Sequence, residues 1–259
     1  MYLPQLLRKL DLGEKLVALT CYDASLARVM IDSGVDILLV GDSLGMTVQG
    51  HDSTLPVCLD DMTYHTRAVR RGAGQGFVMA DLPFGSYQGS LEQAFAASAR
   101  LLSAGANMVK LEGGAIMVDT VSFLTQRGIP VCGHLGLLPQ SVNQTGYRAQ
   151  AKESRAAQEL LRDASLLEDA GAAMLVLEAI PSLLASEVTQ CLRIPTIGIG
   201  AGGQCDGQVL VITDLLGLTP KPPRFARNFM SGAGDIATAI QRYVAAVRTG
   251  EFPGPEHCF

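Results

Sequence analysis

Residues 107–114 read NMVKLEGG: apolar Met108, Val109 and Leu111 enclose a lysine, and Glu112 and two glycines follow. A run this short with no polar face reads as a strand covered on both sides, with its carboxylate at the strand's end. Side chains alternate along a strand, so Lys110 and Glu112 point to the same side. The same pattern recurs along the chain. VALTCYD (17–23) closes on Asp23, ILLVGDS (37–43) on Asp42, FVMADLPF (77–84) on Asp81 and VCGHLG (131–136) on His134. AMLVLEA (173–179) closes on Glu178 and VLVITD (209–214) on Asp214, while TIGIGAGG (196–203) ends in glycines. Such strands are expected to run parallel and to bring their polar ends to one face.

Helical patterns separate the strands. Residues 24–33 place Leu26, Val29 and Met30 on one face and stop at Gly34; residues 60–71 follow Asp60 as a possible cap and stop at Gly72. Residues 90–104 open with Ser90 and Gln93 in capping-box spacing and stop at Gly105, and further helices fit 115–127, 153–170, 181–191 and 233–248. This β-then-α order predicts an α/β fold, a closed (β/α)8 TIM barrel formed by residues 1–259 as one domain with short terminal extensions. One joint is awkward: the stretch from Ala201 to Gln208 is shorter than the ~10–12 residues of a helical crossover. Either a short turn of helix crosses there, or the last two strands are not regular neighbours. The tail EFPGPEHCF (251–259) is expected to be extended and able to dock on a neighbouring subunit.

The chain of 259 residues is 48% hydrophobic but only 5% aromatic, enough for a large aliphatic core. A net charge of −5 argues against a nucleic-acid partner, and only Arg70–Arg71 is locally basic, on an expected solvated helix face. The opening MYLPQLLRKL lacks a signal-peptide core, and no apolar run approaches the ~20 residues that cross a bilayer, so a cytoplasmic protein is expected. Six cysteines without a CxxC pair are expected to be reduced structural thiols.

Asp42, Asp81 and Glu112 end three successive strands. One Asp after a strand is often a helix cap, but three carboxylates together form an oxygen-only donor set that suits Mg²⁺. Lys110, buried beside them, needs an anionic partner: the acid cluster itself or an anionic substrate. Glu178 emerges from an apolar strand, where desolvation favours a general base, and a structural ion pair is the alternative. His134 lies in GHLG, whose glycines are expected to let a ligand approach; a satisfied structural histidine is equally open. Asp23 and Asp214 are expected caps or turn residues. His51, His65 and His257 have no metal-ligand spacing.

VGDSLGMTVQGHDSTLPV, ADLPF, MVKLEGG, VCGHLGLLPQSVN, LVLEAIP, IGIGAG and FARNF together closely resemble the ketopantoate hydroxymethyltransferase family of pantothenate biosynthesis, from about residue 17 to the end. The resemblance implies a barrel of the phosphoenolpyruvate/pyruvate type and a homodecamer. It implies transfer of a hydroxymethyl group from 5,10-methylenetetrahydrofolate to 3-methyl-2-oxobutanoate, giving 2-dehydropantoate and tetrahydrofolate. Carried over by position, Asp42, Asp81 and Glu112 bind Mg²⁺. Asp42, Ser43, Asp81 and Lys110 contact the oxo acid, with His134 a further candidate contact, and Glu178 is the proton acceptor. The metal is expected to stabilise the enolate formed when the C3 proton leaves. The chain departs from the family pattern at 143–153 and 219–229, in loops expected to shape the folate pocket or subunit contacts.

Two other readings stand beside it. A Mg²⁺-dependent lyase or mutase on the same barrel would turn over a 2-oxo or 2-hydroxy acid without a one-carbon donor. A noncatalytic metabolite-binding protein would bind the oxo acid without exchanging its C3 proton.

Overall fold

The computed structural model describes all residues from Met1 to Phe259. After helix α1 (Leu3–Asp11) the chain alternates: β1 (Leu16–Thr20), α2 (Ala24–Asp32), β2 (Ile37–Val40), the short α3 (Leu44–Thr47), then α4 (Leu59–Ala73). β3 (Phe77–Asp81), α5 (Leu91–Ala104), β4 (Met108–Glu112), α6 (Val118–Thr125) and β5 (Val131–Gly136) follow. The second half runs α7 (Val142–Thr145), α8 (Ser154–Asp169), β6 (Met174–Glu178), α9 (Ser182–Cys191), β7 (Thr196–Ile199), β8 (Gly207–Leu210), α10 (Ile212–Leu215) and α11 (Ile236–Thr249).

All eight strands are parallel, each pairs with its sequence neighbour, and β8 closes onto β1. Nearly every strand residue is buried, as apolar strands sandwiched between barrel interior and helices must be. Caps hold the helices where the sequence places them: Asp23 accepts from the backbone of Ser25 and Leu26, and Ser90 from that of Gln93. Asp60 is not the cap expected; α4 begins one residue earlier, and Asp61 accepts from the Cys58 backbone.

The awkward joint resolves without a helix. β7 and β8 are hydrogen-bonded neighbours joined by a tight connection. β8 begins at Gly207, where a Cβ would stand 2.5 Å from the Leu16 carbonyl oxygen, so only glycine lets the barrel close. The expected strand over 209–214 therefore stops at Leu210, and its apolar continuation is α10, whose Ile212 N–H is taken by Thr20 Oγ1.

Two further expectations change. Arg71 is exposed as expected, but Arg70 is half-buried: its guanidinium donates to the carbonyls of Gly105, Gly74 and Gly76 and to Asn107 Oδ1, tying together the loops that precede β3 and β4. The tail folds back on its own barrel: Phe252 and His257 are buried, Phe252 packs edge-on against Tyr243 and Phe229, and the Ser182 N–H donates to the Phe259 carbonyl. All six cysteines are free; Cys21, Cys132 and Cys205 are buried. No helix is long and apolar enough to cross a membrane.

Candidate active site

The carboxyl ends of the strands surround a cavity of about 940 Å³ lined by Asp42, Ser43, Asp81, Lys110, Glu112, His134 and Glu178. Strand register brings the last five of these residues onto neighbouring strand ends. Asp81 pairs with Lys110 across β3–β4, Glu112 with His134 across β4–β5, and Gly136 with Glu178 across β5–β6.

Lys110 Nζ lies 2.8 Å from Asp81 Oδ1, both side chains being about 5% exposed or less. The other oxygen of Asp81 accepts from the Asp42 backbone N–H at 3.1 Å. Ser43 Oγ bonds the Tyr22 hydroxyl at 2.9 Å. His134 stands between two carboxylates: Nδ1 is 3.5 Å from Glu112 Oε1, and Nε2 is 3.3 Å from Glu178 Oε2. Glu178 is the most open of the four acids, its side chain 14% exposed to the cavity.

Burial and charge decide the protonation states. Burial and the Lys110 charge push His134 down, but Glu112 and Glu178 outweigh them and raise it to about 9, which favours the charged ring even with Lys110 Nζ 3.5 Å from Nδ1. Burial likewise works against the Lys110 ammonium, and Asp81, Glu112 and Asp42 overcome it, so Lys110 stays charged. Glu112, though buried, is held below the usual carboxylate range by His134, Lys110 and the Gln140 backbone N–H. Asp42 is pushed well above that range by burial and by repulsion from Asp81 and Glu112.

Four carboxylates thus face two cations, an excess of two negative charges when all are ionised, and the upward push on Asp42 expresses it. That excess, on oxygen donors alone, fits a divalent cation of the Mg²⁺ kind. Asp42, Asp81 and Glu112 do not form a complete cage: no three His, Cys, Asp or Glu side chains stand close enough to hold an ion among them. Lys110 already takes one oxygen of Asp81. Mg²⁺ commonly keeps water and substrate oxygens in its shell, so a partial protein donor set suits it.

The glycines around His134 serve a different end from that expected. A Cβ on Gly133 would meet the Leu175 and Leu167 side chains, and one on Gly136 would stand 2.1 Å from the Glu178 carbonyl oxygen. They admit neighbouring protein, not ligand. Asp214 lies within α10 and accepts from Thr219 Oγ1. His65 binds the Tyr22 carbonyl, His51 lines the mouth, and His257 belongs to the tail.

Gln140 and Tyr87 were not singled out by the sequence. Gln140 is buried between Asp42, Glu112 and Tyr87, and nothing in the spacing of an uncharged residue after a strand marks it out. Residues 143–153 and 219–229 both reach the mouth, through Tyr147 and Arg148 and through Lys221 and Arg224.

A family model described as ketopantoate hydroxymethyltransferase matches residues 1–255. The chain belongs to this family. The 3-methyl-2-oxobutanoate hydroxymethyltransferase of Thiobacillus denitrificans is 62% identical over 248 residues, covering 95% of each chain. That of Nitrosospira multiformis is 59% identical over 251 residues, covering 96% of this chain and 95% of its own. Membership makes the chain an enzyme, a hydroxymethyltransferase. Among solved structures, the phosphoenolpyruvate phosphomutase of Streptomyces platensis subsp. rosaceus superposes with a TM-score of 0.64 over 98% of this chain and 92% of its own, at 14% identity. A 2,3-dimethylmalate lyase superposes at 0.60 over 80% of each chain, at 20% identity. At these identities the likeness is one of fold, a closed (β/α)8 barrel; the hydroxymethyltransferase family carries the function.

Proposed function

We propose that the chain transfers a hydroxymethyl group from 5,10-methylenetetrahydrofolate to 3-methyl-2-oxobutanoate, giving 2-dehydropantoate and tetrahydrofolate in pantothenate biosynthesis. It does so with Mg²⁺, in the cytoplasm, as one barrel domain assembled into a homodecamer. The observation that carries the chemical part is the cavity floor: four carboxylates facing only Lys110 and His134, with Glu178 the one among them that opens to the cavity. Exposed Phe84, Phe95 and Ile116 on the outer surface support self-association.

A divalent cation taking carboxylate oxygens from among Asp42, Asp81 and Glu112, with water and substrate oxygens completing its shell, would supply Lewis-acid stabilisation of the negative charge that builds on the oxo oxygen. Lys110 pairs with the substrate carboxylate, and Ser43 contacts it from the end of β2. Glu178 accepts the C3 proton, with the His134 imidazolium orienting its carboxylate through Nε2. C3 then bonds to the methylene carbon of the folate, both C–N bonds of that carbon break as a water oxygen takes their place, and the proton held by Glu178 and one proton of the water end on N5 and N10 of the departing tetrahydrofolate. The apolar wall of Val176, Ile199 and Val209 suits a branched alkyl end.

The test is product formation. Purified enzyme with Mg²⁺, the oxo acid and the folate donor is expected to make 2-dehydropantoate only when all three are present. Consumption of the oxo acid without the donor would favour a lyase or mutase on the same barrel instead.

A further inference from the structure

Gln140 sits in the loop after β5 and reaches across the mouth to the ends of β2, β3 and β4. Its Nε2 donates to Asp42 Oδ2 and to the Leu82 carbonyl, each at 2.9 Å. Its Oε1 accepts from the Tyr87 hydroxyl at 2.7 Å and from Gln88 Nε2 at 3.2 Å. Its backbone N–H donates to Glu112 Oε2 at 3.0 Å. A primary amide has two N–H donors and two acceptor sites, and here all four are used. The amide cannot be turned over, because its carbonyl would then face the Asp42 carboxylate and the Leu82 carbonyl. Tyr87 makes the arrangement firmer: its single hydroxyl proton goes to Gln140, and its oxygen accepts from the Glu112 backbone N–H at 3.1 Å.

We propose that Gln140, locked by Tyr87, is a positioning residue that fixes the Asp42 and Glu112 carboxylates in the orientation that binds the divalent cation and the oxo acid. It touches neither substrate nor reacting atoms. Without it two buried carboxylates that repel each other, and Asp81 beside them, are free to turn apart. The inference rests on the function proposed above, so the experiment separates the two.

Mg²⁺ binding is measured by calorimetry, with and without 3-methyl-2-oxobutanoate, for the wild type, Gln140→Met, Tyr87→Phe and the double variant, with thermal midpoints alongside. Gln140→Met keeps length and volume but loses the amide. Its Mg²⁺ affinity is expected to fall ~10–100-fold, the usual effect of removing an outer partner of a ligand. Tyr87→Phe is expected to weaken it several-fold, and the double variant to be no weaker than Gln140→Met, because Tyr87 acts through the amide. In kinetics kcat and the KM for the oxo acid move while the KM for the folate donor holds, which general destabilisation would not produce. Wild-type affinity in folded Gln140→Met overturns the proposal; if that variant does not fold, wild-type affinity in folded Tyr87→Phe does so. Absence of Mg²⁺ binding by the wild type overturns the functional reading and this role with it.

Discussion

Lys110→Met tests the electrostatics of the site at its most loaded point. The replacement keeps an unbranched chain of similar length but leaves Asp81, almost wholly buried, without the ammonium 2.8 Å from its Oδ1. Removing one partner of a buried pair costs ~3–5 kcal/mol, because the survivor remains desolvated and uncompensated. For a chain of this size each kcal/mol moves the melting midpoint by ~2–4 °C, so the metal-free variant is expected to melt about 10 °C below the wild type. The four acids then face His134 alone, and the excess negative charge rises from two to three. Saturating Mg²⁺ is therefore expected to raise the midpoint more in the variant than in the wild type, since a ligand bound only by the folded state stabilises it. Loss of a charge-assisted hydrogen bond to the oxo-acid carboxylate, worth ~1.5–3 kcal/mol, adds a ~10–100-fold rise in KM. Differential scanning fluorimetry across a Mg²⁺ titration reads the first two effects and initial rates the third. A metal-free variant melting within about 2 °C of the wild type, with the same gain from Mg²⁺, would refute the charge reasoning.

His134 has its folded pKa raised to about 9, so the stability it contributes is fully present below its unfolded value near 6.5 and is lost as pH rises through about 9. In metal-free protein His134→Asn should therefore melt furthest below the wild type at pH 6, with the gap narrowing by pH 10; a gap independent of pH would contradict an imidazolium. Burial raises the Cys21 and Cys132 thiols to about 12, so a thiol reagent at pH 8 should modify Cys58 and Cys191 in the native enzyme and those two only after unfolding. Gly136→Ala should lose more than ~2 kcal/mol, because Gly136 has φ +99° and a Cβ there would strike the Glu178 carbonyl. Exchange at C3 should fall with it, and an unchanged melting point would remove the close approach from the account.

The barrel was legible because its strands are short apolar runs that need cover on both faces, and each run carries its chemistry at one end. Lys110 and Glu112 share a side by alternation alone, and register then brings Asp81, His134 and Glu178 beside them. The last strand was misplaced because VLVI is apolar throughout, and such a run does not distinguish a strand from a buried turn of helix. Gly207 and Gln208, which begin β8, look like loop residues by type. Helix α1 was not expected, although Leu3, Leu6, Leu7 and Leu10 recur at helical spacing; of these only Leu6 is fully buried. Gln140 and Tyr87 were invisible for another reason: their importance lies in tying together the ends of β2, β3 and β4, which no spacing along the chain encodes.

The central claim is that Glu178 takes the C3 proton of an oxo acid held by Lys110 and the acidic floor. Proton NMR of 3-methyl-2-oxobutanoate in D₂O with Mg²⁺, comparing the wild type with Glu178→Gln, tests it most directly. The account predicts that the C3 proton signal disappears with the wild type even without the folate donor, and persists with a folded Glu178→Gln that still binds the oxo acid. Exchange at the wild-type rate in that variant would contradict it.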